Sequence, residues 1–262
     1  MKLKIYQVDA FTDKIFSGNP AAVCPLDAWL PDNVMQNIAL ENNLAETAFY
    51  VKQGNDYLIR WFTPTVEVDL CGHATLATAH VLFNHENHAG DEIIFQSHRS
   101  GMLKVSRQND LLTLDFPTDT LNKIQWFNEM NAGFNIIPTE GYKGKTDYLL
   151  VFENEDQIKN LQPNFPVIAN WKVRGVIVTA KGNEVDFVSR FFAPQSGVNE
   201  DPVTGSAHTT LIPYWAEKLG KLKLSAIQLS ERTGYLTCHY AGDRVHISGN
   251  ARTYLIGEIV TE

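Results

Sequence analysis

Cysteine is scarce in this chain: there are three in 262 residues, Cys24, Cys71 and Cys238, set far apart. No pair has the CxxC spacing of a zinc ribbon, so the spacing gives no metal site. An odd, low count fits a reducing compartment and points to the cytoplasm. Long apolar runs are missing as well. No stretch approaches the roughly 18 uncharged apolar residues of a membrane helix, and residues 1–9 lack the apolar centre of a signal peptide. Basic residues are outnumbered, 22 Lys and Arg against 30 Asp and Glu, for a net charge of −8. That argues against a surface built to neutralise nucleic-acid phosphates, which needs clustered Lys and Arg. A small acidic ligand is not excluded, because it needs only a few local donors.

The length is enough for one large domain or two ordinary ones, and the two halves resemble each other. Arg60-Trp61-Phe62-Thr63-Pro64 matches Arg190-Phe191-Phe192-Ala193-Pro194 at an offset of 190 − 60 = 130. Gly72-His73-Ala74-Thr75 matches Gly205-Ser206-Ala207-His208 at 205 − 72 = 133, so the second half carries three extra residues between the two motifs. The offset of 133 then holds for Arg99/Arg232, Gly101/Gly234, Leu103/Leu236 and Asp110/Asp243. Each match alone is weak, but a register kept over a hundred residues favours duplication over chance. The expected domains are residues 1–118 and 119–252. The tail, 253–262, has no counterpart in the first half and reads as a strand completing the first domain.

Alternation and β-branched or aromatic content predict strands at 3–11, 48–51, 57–62, 92–96 and 111–116, then at 148–152, 174–179, 186–192, 226–229 and 245–247. Residues 31–43 read as a helix with Pro31 in its first turn. Residues 72–83 read as a helix apolar nearly all round, which belongs inside something. Its counterpart, 205–219, ends at Gly220 and contains Pro213, which should kink it. Curved sheets wrapped around a central helix would satisfy the pattern.

The candidate chemistry gathers at the two Gly-containing helix starts. Cys71-Gly72-His73 opens one and Thr204-Gly205-Ser206 the other, with Asp69 and Asp201 just upstream. Helix N-termini offer unpaired N–H groups and partial positive charge, so both could hold a carboxylate. The plainer alternative is two capped helices. Glu46 precedes an apolar strand and reads on its own as a loop carboxylate. His73 reads as a capping histidine, Cys71 as a small core residue, and Asp13 and Glu67 as surface charge.

Taken in order, several segments resemble the phenazine biosynthesis-like (PhzF-like) family. They are Asp9-Ala10-Phe11-Thr12, Asn19-Pro20-Ala21-Ala22-Val23, Ala45-Glu46-Thr47-Ala48-Phe49, Arg60-Trp61-Phe62-Thr63-Pro64, Cys71-Gly72-His73-Ala74-Thr75, Arg190-Phe191-Phe192-Ala193-Pro194 and Glu200-Asp201-Pro202-Val203-Thr204-Gly205-Ser206-Ala207. The resemblance implies an α+β, diaminopimelate-epimerase-like fold: two pseudo-symmetric domains, each a barrel-like sheet around a central helix, with the site in a cleft. It implies an isomerase without metal or organic cofactor, often a homodimer, acting on a small carboxylate. By position it makes Glu46 the proton-transferring residue, with Asp201 and His73 beside it. Asn19, Cys71, Gly72, Gly205 and Ser206 lie around the substrate. Diaminopimelate epimerases use two thiols, but here Cys71 fills the first place and Thr204 the second, so two-thiol racemisation is not expected. Alternatives are a Cys71-assisted epimerase or racemase, and a non-catalytic protein that binds small acids.

Overall fold

The computed structural model describes residues 1–124 and 128–261. The chain divides into two compact units, Met1–Asp115 with Ser248–Glu262, and Phe116–Ile247.

The first unit runs β1 (Lys2–Ala10), β2 (Asn19–Leu26), α1 (Asp32–Asn42), β3 (Glu46–Gln53), β4 (Asp56–Phe62), β5 (Glu67–Val68), α2 (Gly72–Asn84), β6 (Glu92–Ser97), β7 (Gly101–Gln108) and β8 (Leu111–Pro117). The second runs β9 (Asn122–Lys123), β10 (Glu140–Lys143), β11 (Asp147–Val151), α3 (Glu155–Lys159), α4 (Phe165–Ile168), β12 (Gly175–Lys181), β13 (Phe187–Phe192), α5 (Gly205–Leu219), β14 (Lys223–Gln228), β15 (Gly234–Tyr240) and β16 (Arg244–Gly249). The last strand, β17 (Ala251–Val260), lies antiparallel on β1 in the first unit.

Both units follow one order of strand pairing. In the first, β1–β2 is antiparallel, β2–β3 parallel across α1, β3–β4 antiparallel, β4–β6 parallel across α2, and β6–β7 antiparallel. In the second, β10–β11, β12–β13 and β14–β15 are antiparallel, and β11–β12 and β13–β14 are parallel. Helices α3 and α4 cross over between the first parallel pair and α5 between the second. A parallel pair requires such a crossover, usually a helix.

The duplicated Arg-aromatic-Phe motif has one structural role in both units. Arg60 donates twice to Glu67, at 2.7 and 2.9 Å, and lies over the Phe62 ring. Arg190 donates twice to Glu200, at 2.8 Å each, and lies over the Phe192 ring. The partner is seven residues on in one half and ten in the other, which is where the three extra residues fall. Such two-pronged pairing holds the guanidinium plane, and with it the end of the strand. Glu67 is therefore not surface charge. Its side chain is only 11% exposed and also pairs with Arg99.

Helix α2 is enclosed, with eleven of its thirteen residues buried, and it packs on β1, β2, β3 and β17. Its buried hydroxyls, Thr75 and Thr78, bond back to the carbonyls of Cys71 and Ala74 at 2.6 and 2.7 Å, which satisfies them without an outside partner. Pro213 sits inside α5. Lacking an N–H, it frees the carbonyl of Thr209 four residues back, and the Asp119 N–H donates to that oxygen instead at 3.2 Å.

One further expectation needs correction, and two helix caps are fixed by the structure. Pro31 is the residue before α1, at its cap, rather than in the first turn. Asp69 does not cap α2: the N-cap is Cys71, without a side-chain hydrogen bond, and Asp69 pairs with Arg99 at 3.2 Å. Thr204, not Asp201, is the N-cap of α5.

Candidate active site

In the first unit, three chain segments converge because two parallel strands begin within two residues of the same level. Asn19 opens β2 and Glu46 opens β3, with Glu46 opposite Ala21 in the ladder. The start of α2 supplies Cys71 and His73. Extended backbone at Cys71 (φ −137°) leads into the first helical residue, Gly72.

His73 is the hub. Its Nε2 lies 3.1 Å from Glu46 Oε2, its Nδ1 lies 3.1 Å from Asn19 Nδ2, and Cys71 Sγ is 3.5 Å from Nδ1 and 4.0 Å from Nε2. Glu46 Oε2 has no aligned hydrogen bond, so its contact with His73 is an approach of charges. Cys71 and His73 are buried, whereas the Glu46 side chain keeps 18% of its surface open. The way into the cluster is therefore past the carboxylate.

The electrostatics follow from that burial. Burial pushes the Cys71 thiol up to about 11, and the Glu46 charge adds to it. Cys71 is thus a protonated thiol at neutral pH. Burial opposes a charge on His73, but the charges of Cys71 and Glu46 outweigh it and hold its pKa well above the ordinary histidine value. With the thiol protonated, the nearby carboxylate is the part of that effect that persists at neutral pH.

Sequence spacing gave no metal-ligand pattern, yet the fold brings ligand atoms of Glu46, Cys71 and His73 within 4.8 Å of one another. Spacing arguments see only neighbours along the chain, and Glu46 is twenty-five residues from Cys71.

Asp201, Gly205 and Ser206 lie in the second unit, around the start of α5. Asp201 accepts the Thr204 hydroxyl at 2.5 Å. Gln228 clamps the turn, accepting from the Thr204 N–H and donating to the Asp201 carbonyl, both at 2.8 Å. Beside them stands a residue that the sequence reading missed. Arg174 Nη1 donates to Ser206 Oγ at 3.0 Å, while its Nε and Nη2 grip Asp147, which is 2% exposed. Asp147 opens β11 and Arg174 immediately precedes β12, the parallel pair that corresponds to β2 and β3. The signal was the strand start itself: a basic residue just before the buried apolar run at 175–178. Ser206 accepts from Arg174, so its own proton is free to point at a ligand.

The sequence matches the phenazine biosynthesis-like protein family over residues 8–257. The chain belongs to this family. It is 52% identical over 260 residues to an uncharacterised isomerase of Pseudomonas aeruginosa, covering 99% of each chain. It is 45% identical over 263 residues to an uncharacterised isomerase of Halalkalibacterium halodurans, again over 99% of each. Among solved structures, it resembles a PhzF-family phenazine biosynthesis protein of Enterococcus faecalis at TM-score 0.97, with 48% identity over the whole of both chains. The fold is accordingly the α+β architecture of PhzF-like and diaminopimelate-epimerase-like proteins. The chain is an isomerase-type enzyme. No helix among the described residues is long and apolar enough to cross a membrane.

Proposed function

We propose that this PhzF-like protein moves a proton on a small carboxylic acid through the Glu46–His73–Cys71 cluster, with the Cys71 thiol taking part. The carrying observation is the placement of His73, with one ring nitrogen at Glu46 and the other 3.5 Å from the Cys71 sulfur. Glu46 takes a proton from a carbon next to the substrate carboxylate. Cys71, protonated at rest, returns one from its own side. The proton on Glu46 then passes through His73 to the thiolate, which resets the pair. This chemistry needs a positioned acid and a positioned base, and the cluster holds both. Asn19 fixes the ring from the far side.

Within the second unit, the start of α5 with Ser206 and Arg174 offers donors suited to a carboxylate, and Asp201 holds the turn that presents them. The free, buried state of all three cysteines supports a reducing, cytoplasmic setting. A homodimer is supported by the exposed apolar side chains Tyr254, Leu255 and Ile256 on β17. Light scattering tests that point, and a monomer at micromolar concentration overturns it.

The reaction itself is tested by solvent-deuterium incorporation into a panel of small carboxylic acids with an activated C–H. Cys71→Ser and Glu46→Gln should each lower exchange by about a hundredfold, the usual scale of acid–base catalysis. Wild-type exchange in Cys71→Ser with loss in Glu46→Gln would leave Glu46 as the sole shuttle. Unchanged exchange in both would remove the cluster from the mechanism.

A further inference from the structure

We propose that Glu46, Cys71 and His73 form a capture site for a thiophilic divalent ion, of which Zn2+ is the type. This goes beyond the proton-transfer reading, because it concerns the same lone pairs when no substrate is engaged.

The donor set comes first. A thiolate, an imidazole and a carboxylate are the ligands that zinc takes, and the sulfur and nitrogen favour Zn2+, Co2+ or Cu over Mg2+ and Ca2+. Zinc bonds to these atoms are about 2.0–2.3 Å long, which puts neighbouring donors of a tetrahedral site roughly 3.3–3.6 Å apart. Here the imidazole Nε2 is 3.1 Å from Glu46 Oε2 and 4.0 Å from Cys71 Sγ. The whole set lies within 4.8 Å. Small rotations of the carboxylate and the thiol suffice to close the site.

Two further features point to a ligand. Glu46 Oε2 is buried without an aligned hydrogen-bond donor, so a carboxylate lone pair is unspent. Asn19 Nδ2 lies 3.1 Å from the other ring nitrogen, and turning that amide over would let its oxygen accept the Nδ1–H of a histidine bound to metal through Nε2. Three protein ligands leave a fourth position for water, on the side where Glu46 is open to solvent. Zn2+ seated there ties up the carboxylate, the imidazole and the sulfur together, and proton transfer and zinc binding exclude each other.

The experiment uses the full chain after chelator treatment and dialysis. Zn2+ is titrated calorimetrically against a weak competing chelator, and Co2+ is added separately as a spectroscopic probe. One equivalent of Zn2+ should bind, and binding should weaken by roughly tenfold or more in both Cys71→Ser and Glu46→Gln. The wild-type Co2+ adduct should show thiolate-to-cobalt charge-transfer absorption in the near ultraviolet, with the intense visible bands of a four-coordinate ion. That spectrum is read on wild-type protein, so it does not depend on whether a variant folds. Zn2+ binding unchanged in both variants places any metal elsewhere and overturns the proposal, as does a Co2+ spectrum without the thiolate band. Deuterium exchange in the metal-free protein tests proton transfer separately, so failure of one leaves the other standing.

Discussion

Lowering the pH from 7 to 5 should destabilise the second unit, through His208. This residue lies in the first turn of α5, is fully buried, and is tilted against the ring of Phe187. Its Nδ1 donates to the Thr204 carbonyl at 2.8 Å, and its Nε2 has no partner. A second proton would sit on Nε2 in an apolar pocket, and burial accordingly lowers the pKa from 6.5 to about 4. The folded value is below the unfolded one, so at mildly acidic pH the unfolded chain binds a proton that the folded chain refuses. Stability is thus present above about pH 6.5 and is lost as pH falls toward 4. At pH 5 the unfolded form gains about 2 kcal/mol from this one group, against about 0.2 kcal/mol at pH 7. His80, also held near 4 by burial, acts in the same direction in the first unit. The comparison that isolates His208 is therefore wild type against His208→Gln at both pH values, by urea denaturation followed through tryptophan fluorescence. Trp215 stacks on Phe187, next to His208, and reports locally. The wild type should lose about 2 kcal/mol more than the variant between pH 7 and 5. Parallel losses in the two proteins would refute the reasoning.

Other perturbations follow from the geometry. Asp147→Ala strips the buried partner from Arg174, whose side chain is 38% exposed and can partly turn to water. A loss of about 2–3 kcal/mol in urea denaturation is expected, and less than about 0.5 kcal/mol would show that the pair holds nothing. Gly18 has φ +66°, and a Cβ there would lie 2.1 Å from the Ala10 carbonyl oxygen. Gly18→Ala should cost roughly 2–4 kcal/mol and displace Asn19 from His73, seen as a lower melting temperature together with lost exchange activity. An unchanged melting temperature would count against it. Alkylation of Cys71, mapped by peptide mass, should still rise about tenfold per pH unit above pH 9, because its thiol titrates near 11 rather than at the ordinary 9.0. A plateau at pH 9 would mean that the thiol is not held in its protonated form.

The helix around Gly72 was legible because an all-round apolar segment has only one place to go, and residues 72–83 were read where α2 spans Gly72–Asn84. Alternation likewise gave the cores of β1, β4, β6 and β13. By contrast, β2 was read as a motif and not as a strand. Its sequence, NPAAVCPL, holds two prolines, which argue against a strand paired on both sides. Pro20 is next to its first residue and Pro25 next to its last, where the lost N–H disturbs the ladder least. Glu46, His73, Cys71 and Asn19 come together through resemblance and not through pattern: a contact between the start of β3 and the start of α2 leaves no periodicity in the chain. Arg174 and Asp147 escaped for the same reason. The repeat showed more than it was asked to. The offset that aligned Gly72 with Gly205 also aligns Glu67 with Glu200, and those two residues hold the matching arginines.

The antiparallel seating of β17 on β1 sets an order of events during synthesis. The second unit is one uninterrupted piece of chain and can close as soon as Ile247 has emerged. The first unit is made first but cannot finish, because one edge of β1 has no partner until the final strand arrives. Domains on the ribosome generally fold from the N-terminus onward. Here the unit carrying Glu46 and His73 should complete last, and its site should stay unassembled until β17 is released from the exit tunnel. Chains truncated after Ile247 and released from the ribosome should thus resist protease over 116–247 and be cut within 1–115. Equal protection of both stretches would show that β1 does without its last neighbour.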